Sequence, residues 1–478
     1  MPIISIEFAV FFLVFFPVYW LCRPSPNSQN GLLLVAGLSW LVYLHWGFAL
    51  TVTIYSLVIA FVGVRIHSGK SQKTRQYWLW IGVLMALLGL CTFKYYDFFR
   101  PYLQVWLGDN IVDVFLPLGI SYYTFQSIAY LVALYRQDDI ALKGHQLLLH
   151  LSFFPTITAG PIFRAADSKS IVGKHQGAAA QIRQTTPRSV IFPALAVTLI
   201  LLGIIKKWWL AGSLGDGWVD PVFDNPMQYD FWQVLLAIYG YTVQLFLDFS
   251  GYSDLVIGIA MLLGFQLPPN FFMPLKAFNI RDFWNRWHIS LSTWIRDYIY
   301  IPLGGNRCSY VRIQINLLIA MVLSGIWHGY GWNFFLWGLL HGIALVMLNI
   351  GDKIVGHRNA LTFHPLTKAI GIFVTLHFVC FTFVIFHTQT LAEASLMFSA
   401  LIERAQSISV PELTTLLMLI LFAVALIGYR IIAKMIAYFT QWLDRLPVFL
   451  WAIPLLIIFI LVTVLAPSGI PGFIYANF

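Results

Sequence analysis

The residues best suited to chemistry fall within one stretch, 279–341, running from NIRDFWNRWHISLSTWIRDYIYIPLGGNR to SGIWHGYGWNFFLWGLLHG. It carries His288, His328 and His341. Neutral imidazole is a competent base near neutral pH, and a hydroxyl nucleophile needs such a base because its own pKa is far too high. His328 stands in Ser324-Gly-Ile-Trp-His-Gly-Tyr-Gly-Trp332, where three glycines within seven residues suit a break between two helices. There it would present a ring nitrogen to a substrate; the alternative is a histidine hydrogen-bonded between helices. His341, in WGLLHG, reads more readily as structural, as do His45, His377 and His387, isolated in apolar runs. A three-histidine metal site finds no support in cysteine or carboxylate spacing.

Charged groups surround these histidines. Asp248 and Asp254, in LDFSGYSD, lie in an apolar run and are six residues apart, about 120° around a helix, so they do not share a face. Buried charges need partners, and Arg281, Arg286 and Arg296 are the expected ones; contact with a donor or substrate is the other reading. The same arginines, with Lys276, Arg307 and Arg312, form a basic flank. Guanidinium forks match phosphate, so a phosphorylated donor such as coenzyme A would fit an entrance lined with tryptophan, Trp284 among them.

The elements that position these groups follow from composition. The chain has 478 residues, 59% hydrophobic and only 10% charged, where soluble domains carry about a quarter charged residues. Apolar runs recur at the roughly 20-residue length that a bilayer demands, and about eleven spans are expected in an all-helical polytopic membrane protein. The first run, within 4–21, lacks a basic leader and a small-residue cleavage site and reads as a retained helix. The run 231–265 is one helix or two; 146–163, broken by Pro155, Gly160 and Pro161, looks re-entrant. The stretch 279–300 has apolar residues at helical spacing on one face and Arg281, Asp282, Arg286 and Arg296 on the other. It reads as one long amphipathic helix, lying at the membrane interface or lining a polar cavity, with His288 at the border of its apolar face.

The net charge of +9 sits mostly in short basic clusters between apolar runs, as cytoplasmic loops require, and not in a nucleic-acid-binding pattern. The loop 212–230 carries Asp216, Asp220, Asp224 and Asp230 with no cation. This polarity puts the N-terminus and the tail 467–478 outside the cytoplasm. Cys22, Cys91, Cys308 and Cys380 show neither metal spacing nor a disulfide framework.

WNRWHISLSTWIRDYIYIPLGG, SGIWHG and WGLLHG, together with FFPTITAGPIFR and FLDFSGYSDLVIGIAMLLGF, resemble the membrane-bound O-acyltransferase family. The likeness is to its bacterial branch of alginate O-acetylases, peptidoglycan O-acetylases and teichoic acid D-alanyl transferases. It covers about residues 5–478 and implies a single transmembrane domain over 1–478, a helical shell around a central funnel. It implies His328 as the catalytic histidine, His288 as the second, acetyl-coenzyme A as donor, no metal, and residence in the bacterial inner membrane. The tail GIPGFIYANF is similar to the FIY-type ending of acetylating members, which implies Tyr475 as an acyl-carrying nucleophile, an aromatic interfacial anchor being the alternative. No SGNH domain follows, so a periplasmic SGNH-type partner is expected to complete transfer. Peptidoglycan is the preferred acceptor, with alginate or another exopolysaccharide next. A rival class is a secondary transporter relaying protons through His288, Asp248 and Asp254, although internal repeats of the transporter kind are not apparent.

Overall fold

The computed structural model describes residues 3–108, 114–170, 172–356, 364–408 and 410–468. Their regular structure is helical apart from one short β-hairpin, Ser168–Ser170 paired with Gly173–His175. Eight of the described helices are long and apolar enough to cross a membrane, and Ile6–Leu21 is a shorter apolar one. Large apolar side chains on the outside, such as Leu13, Trp46 and Val464, fit a chain whose solvent is lipid. This is an all-α, multi-pass membrane protein.

The chain packs as two compact units, Met1–Phe192 with Ile259–Pro269, and Pro193–Gly258 with Asn270–Phe478. The first contains α1 (Ile6–Leu21), α2 (Pro26–Leu44), α3 (Trp46–His67), α4 (Gln72–Lys94), α5 (Tyr96–Leu107), α6 (Ile120–Tyr135), α7 (Gly144–Leu151) and α8 (Ala178–Ile182). Its helix starts are written in the sequence: Ser5, Ser25 and Ser71 each accept a hydrogen bond from a first-turn amide. His45 does the same for α3 and is exposed, a cap and not the core residue its apolar surroundings imply. α7 is eight residues long and is followed by buried irregular backbone through the proline-rich 152–163, which fits a re-entrant segment.

The second unit begins with α9 (Pro193–Asp224), one continuous 32-residue helix. It runs on through two π-helical segments, Ile205–Ala211 and Gly215–Val219, so most of the acidic loop expected at 212–230 is helix. α10 (Phe231–Leu262) is a single helix despite Gly251. Gly251 marks where α9 crosses it: a Cβ on Gly203 would lie 2.6 Å from the Gly251 carbonyl oxygen, so the backbones touch.

The stretch 279–300 is not one helix. It divides into α11 (Ile280–Trp284) and α12 (Ile289–Ile295), the latter continuing into a π segment, Arg296–Tyr300. The break falls on His288, whose φ is 44°, in the left-handed region that interrupts a helix. The apolar spacing runs on across the break, and that is why the stretch reads as continuous. Next come α13 (Tyr310–His328), α14 (Trp332–Val355), α15 (Pro365–His387), α16 (Leu391–Arg404), α17 (Leu413–Arg445) and α18 (Ala452–Leu465).

Candidate active site

α13 and α14 form a hairpin whose turn is the glycine-rich segment after His328. A Cβ on Gly325 would lie 2.2 Å from the Phe334 carbonyl oxygen, and one on Gly338 would lie 2.5 Å from that of Met321. No larger residue fits either place, so small side chains bring the two helices together. Asn333 at the start of α14 donates to the Thr388 carbonyl at 2.7 Å, tying this end to α15. His328 is thereby held as the last residue of α13, 3% exposed. Its ring lies 4.8 Å from Trp327, 5.4 Å from Trp337 and 5.2 Å from Phe386, edge-on to each.

His288 also lies near Trp327, at 6.3 Å between centroids, and edge-on to Phe249 at 4.6 Å. Its Nδ1 is 3.3 Å from Asn270 Oδ1. That oxygen also accepts from the Ser290 backbone amide at 3.2 Å and from its hydroxyl at 2.8 Å. An atom that accepts from a backbone N–H must be the amide oxygen, so His288 Nδ1 is the donor. The neutral ring therefore carries its proton on Nδ1 and its lone pair on Nε2. His288 is fully buried; it is not on the rim of an amphipathic helix.

His341 completes the set. Its Nε2 is 3.0 Å from Thr382 Oγ1, and that hydroxyl donates to the Val379 carbonyl at 3.0 Å. With the hydroxyl proton so committed, His341 Nε2–H is the donor. Trp337 is the shared wall, 4.7 Å from His341, and Trp284 stands 5.2 Å from the same ring. Sequence spacing thus brings His288, His328, His341 and Trp284 into one aromatic-lined region. Among the described residues no group of three His, Cys, Asp or Glu side chains could hold a metal ion.

The charges are arranged otherwise than expected. Asp248 pairs with Lys207, both essentially inaccessible, and Asp254 pairs with Lys206 at 2.6 Å. The arginines take other carboxylates: Arg281 bonds Asp352 at 2.9 Å and Asn349 at 2.6 Å, Arg286 bonds Asp282 at 2.7 Å, and Arg296 bonds Asp297 at 2.7 Å. The reason is the α9–α10 crossing. Asp248 and Asp254 flank Gly251 by three residues on either side, and the adjacent lysines follow Gly203 closely. Contact between the two glycines brings each lysine within reach of one carboxylate, so the 120° separation lets adjacent lysines serve both. Lys206 and Lys207, inside LLGIIKKWWLAG, were visible as intramembrane charge. Asn270, in LPPNFF, carried no periodic signal. Tyr475 lies outside the described residues.

Residues 71–388 match the model of the membrane-bound O-acyltransferase family. Among curated proteins, the chain is similar to a peptidoglycan O-acetyltransferase of Helicobacter pylori, 32% identical over 363 residues, 70% of this chain and 66% of the relative. It is similar to a probable alginate O-acetylase of Pseudomonas aeruginosa, 35% identical over 411 residues, 82% of this chain and 74% of the relative. A teichoic acid D-alanyltransferase of Bacillus subtilis is 31% identical over 331 residues, 66% of this chain and 79% of the relative. The matched segment includes all three histidines of the site, the hairpin that holds His328 and the α9–α10 crossing. The chain belongs to the membrane-bound O-acyltransferase family.

Proposed function

We propose that the protein takes acetyl groups from cytosolic acetyl-coenzyme A and passes them across the bacterial inner membrane for O-acetylation of a cell-envelope polysaccharide. The observation that carries this reading is the buried His328 at the tip of a glycine-packed hairpin, boxed by Trp327, Trp337 and Phe386. His328 takes the proton of a hydroxyl as its oxygen attacks the thioester carbonyl. The C–O bond forms, the C–S bond breaks, and the proton moves from His328 to the departing thiolate. His288, with its tautomer set by Asn270, is the second histidine of the site. Arg281, Arg286 and Arg296, now on carboxylates, are the cations that would trade partners for donor phosphates, beside Trp284. Asp248 is assigned to its lysine.

Tyr475 is proposed as the first hydroxyl acceptor, handing its acetyl group to a periplasmic SGNH-type partner that recognises the polymer. Peptidoglycan is the preferred polymer, in keeping with the activity named for the Helicobacter pylori relative; the relatives named for alginate make an exopolysaccharide the second reading. The test is mass spectrometry of purified protein incubated with acetyl-coenzyme A. An acetylated C-terminal peptide is expected from wild type and not from Tyr475→Phe. An unmodified wild-type peptide, with the coenzyme consumed, would refute the tyrosine relay.

A further inference from the structure

The His341 end of the aromatic region holds three buried polar atoms that the transfer step does not use. With Nε2–H given to Thr382, His341 Nδ1 bears a lone pair. The two ring nitrogens point in divergent directions, so Nδ1 faces away from that threonine. It has no hydrogen-bond partner among the described residues, and neither does the indole N–H of Trp284 or of Trp337. His341 is 0% exposed, Trp337 1% and Trp284 9%. The three rings meet at one place: Trp284 and Trp337 are 5.7 Å apart and edge-on, and both contact the imidazole. Buried polar groups in native proteins are almost always satisfied, so one acceptor and two donors without partners, on three rings in mutual contact, point to a polar guest.

The inventory selects the guest. A carbonyl accepts from both indoles but offers His341 nothing; an ammonium donates to His341 but cannot accept from an indole. A hydroxyl has one O–H to give and two lone pairs to receive, which is the complement of the cage. We propose that His341, Trp284 and Trp337 bind the hydroxyl of the acyl acceptor, one ring away from His328, since Trp337 walls both histidines. This inference rests on the acetyltransferase reading above. It makes His341 a binding residue for the acceptor and not merely a tie between α14 and α15.

Two substitutions separate those roles. His341→Gln keeps an N–H near the Nε2 position for Thr382 and loses the acceptor; His341→Asn keeps an acceptor near the Nδ1 position and loses the threonine bond. The full chain in nanodiscs is given acetyl-coenzyme A with p-cresol, a phenol, or with methyl β-glucoside, a sugar alcohol. The alcohol that is acetylated identifies whether the site takes a phenolic or a sugar hydroxyl. For that alcohol, the glutamine variant is expected to raise KM roughly fivefold, the weight of one neutral hydrogen bond, with kcat and the acetyl-coenzyme A KM near wild type. The asparagine variant should raise it less. The reverse order, or no change in either, overturns the proposal in favour of a purely structural histidine. A wild-type protein that cleaves acetyl-coenzyme A yet acetylates neither alcohol also overturns it. One that leaves acetyl-coenzyme A intact instead overturns the acetyltransferase reading beneath it.

Discussion

At the scale of single residues, the site is three imidazoles with different hydrogen-bond environments. His288 is locked as the Nδ1–H tautomer by Asn270, and His341 as the Nε2–H tautomer by Thr382, while His328 is framed by aromatic rings. A general base is worth about 10²–10⁴ in rate. Replacing His328 with Ala should therefore lower O-acetylation at least about 100-fold with the protein level in the membrane unchanged, measured as acetate released from isolated envelope polymer. Asn270→Ala acts one step removed. It frees the His288 tautomer, and kcat is expected to fall roughly tenfold with little change in the acetyl-coenzyme A KM, because a base is effective only when its lone pair faces the reaction. An unchanged kcat would show that the His288 tautomer does not matter to turnover.

At the scale of elements, the decisive contacts are helix crossings made by glycine. Where α9 meets α10 at Gly203 and Gly251, two lysine–aspartate pairs form. Removing one member of a buried pair costs about 3–5 kcal/mol, whereas replacing both with apolar residues is close to neutral. Lys207→Met should therefore lower the thermal midpoint in detergent sharply, and adding Asp248→Leu should restore most of it; a double variant no better than the single would mean that the charges serve something besides each other. The helices themselves were largely legible in the sequence, because hydropathy over a bilayer length is a strong signal. So was the His328 turn, from its glycines. What was not legible was pairing. Arg281, Arg286 and Arg296 are near Asp248 in function-minded reading, but only the crossing angle decides that Lys207 gets there first. The break at His288 was hidden for a related reason: the left-handed φ and the Asn270 side chain that supports it leave no trace in apolar spacing. Asn270 lies eighteen residues upstream in a proline-containing segment, beyond any helical or strand period.

At the scale of the whole molecule, the protein is a multi-pass member of an acyltransferase family with many large apolar side chains exposed on its outer surface. On the proposed reading, the positive-inside rule puts the basic clusters at 65–75 and 276–312, and with them the donor side, in the cytoplasm. Inside-out membrane vesicles should then consume added acetyl-coenzyme A, and sealed right-side-out vesicles should not until permeabilised. Equal consumption by both intact preparations would invert the assigned sidedness. The hairpin of α13 and α14 adds a mechanical consequence. Where Gly325 and Gly338 sit, main chain rests on main chain with no side chain between, and such a seam has almost no rotamers with which to yield. Trp337, on the same hairpin, meets Trp284 edge to face, stacks on Phe383 and lies tilted against Phe386, so aromatic rings continue the site away from that seam. The hairpin is thus a stiff mount for His328, which ends its first helix.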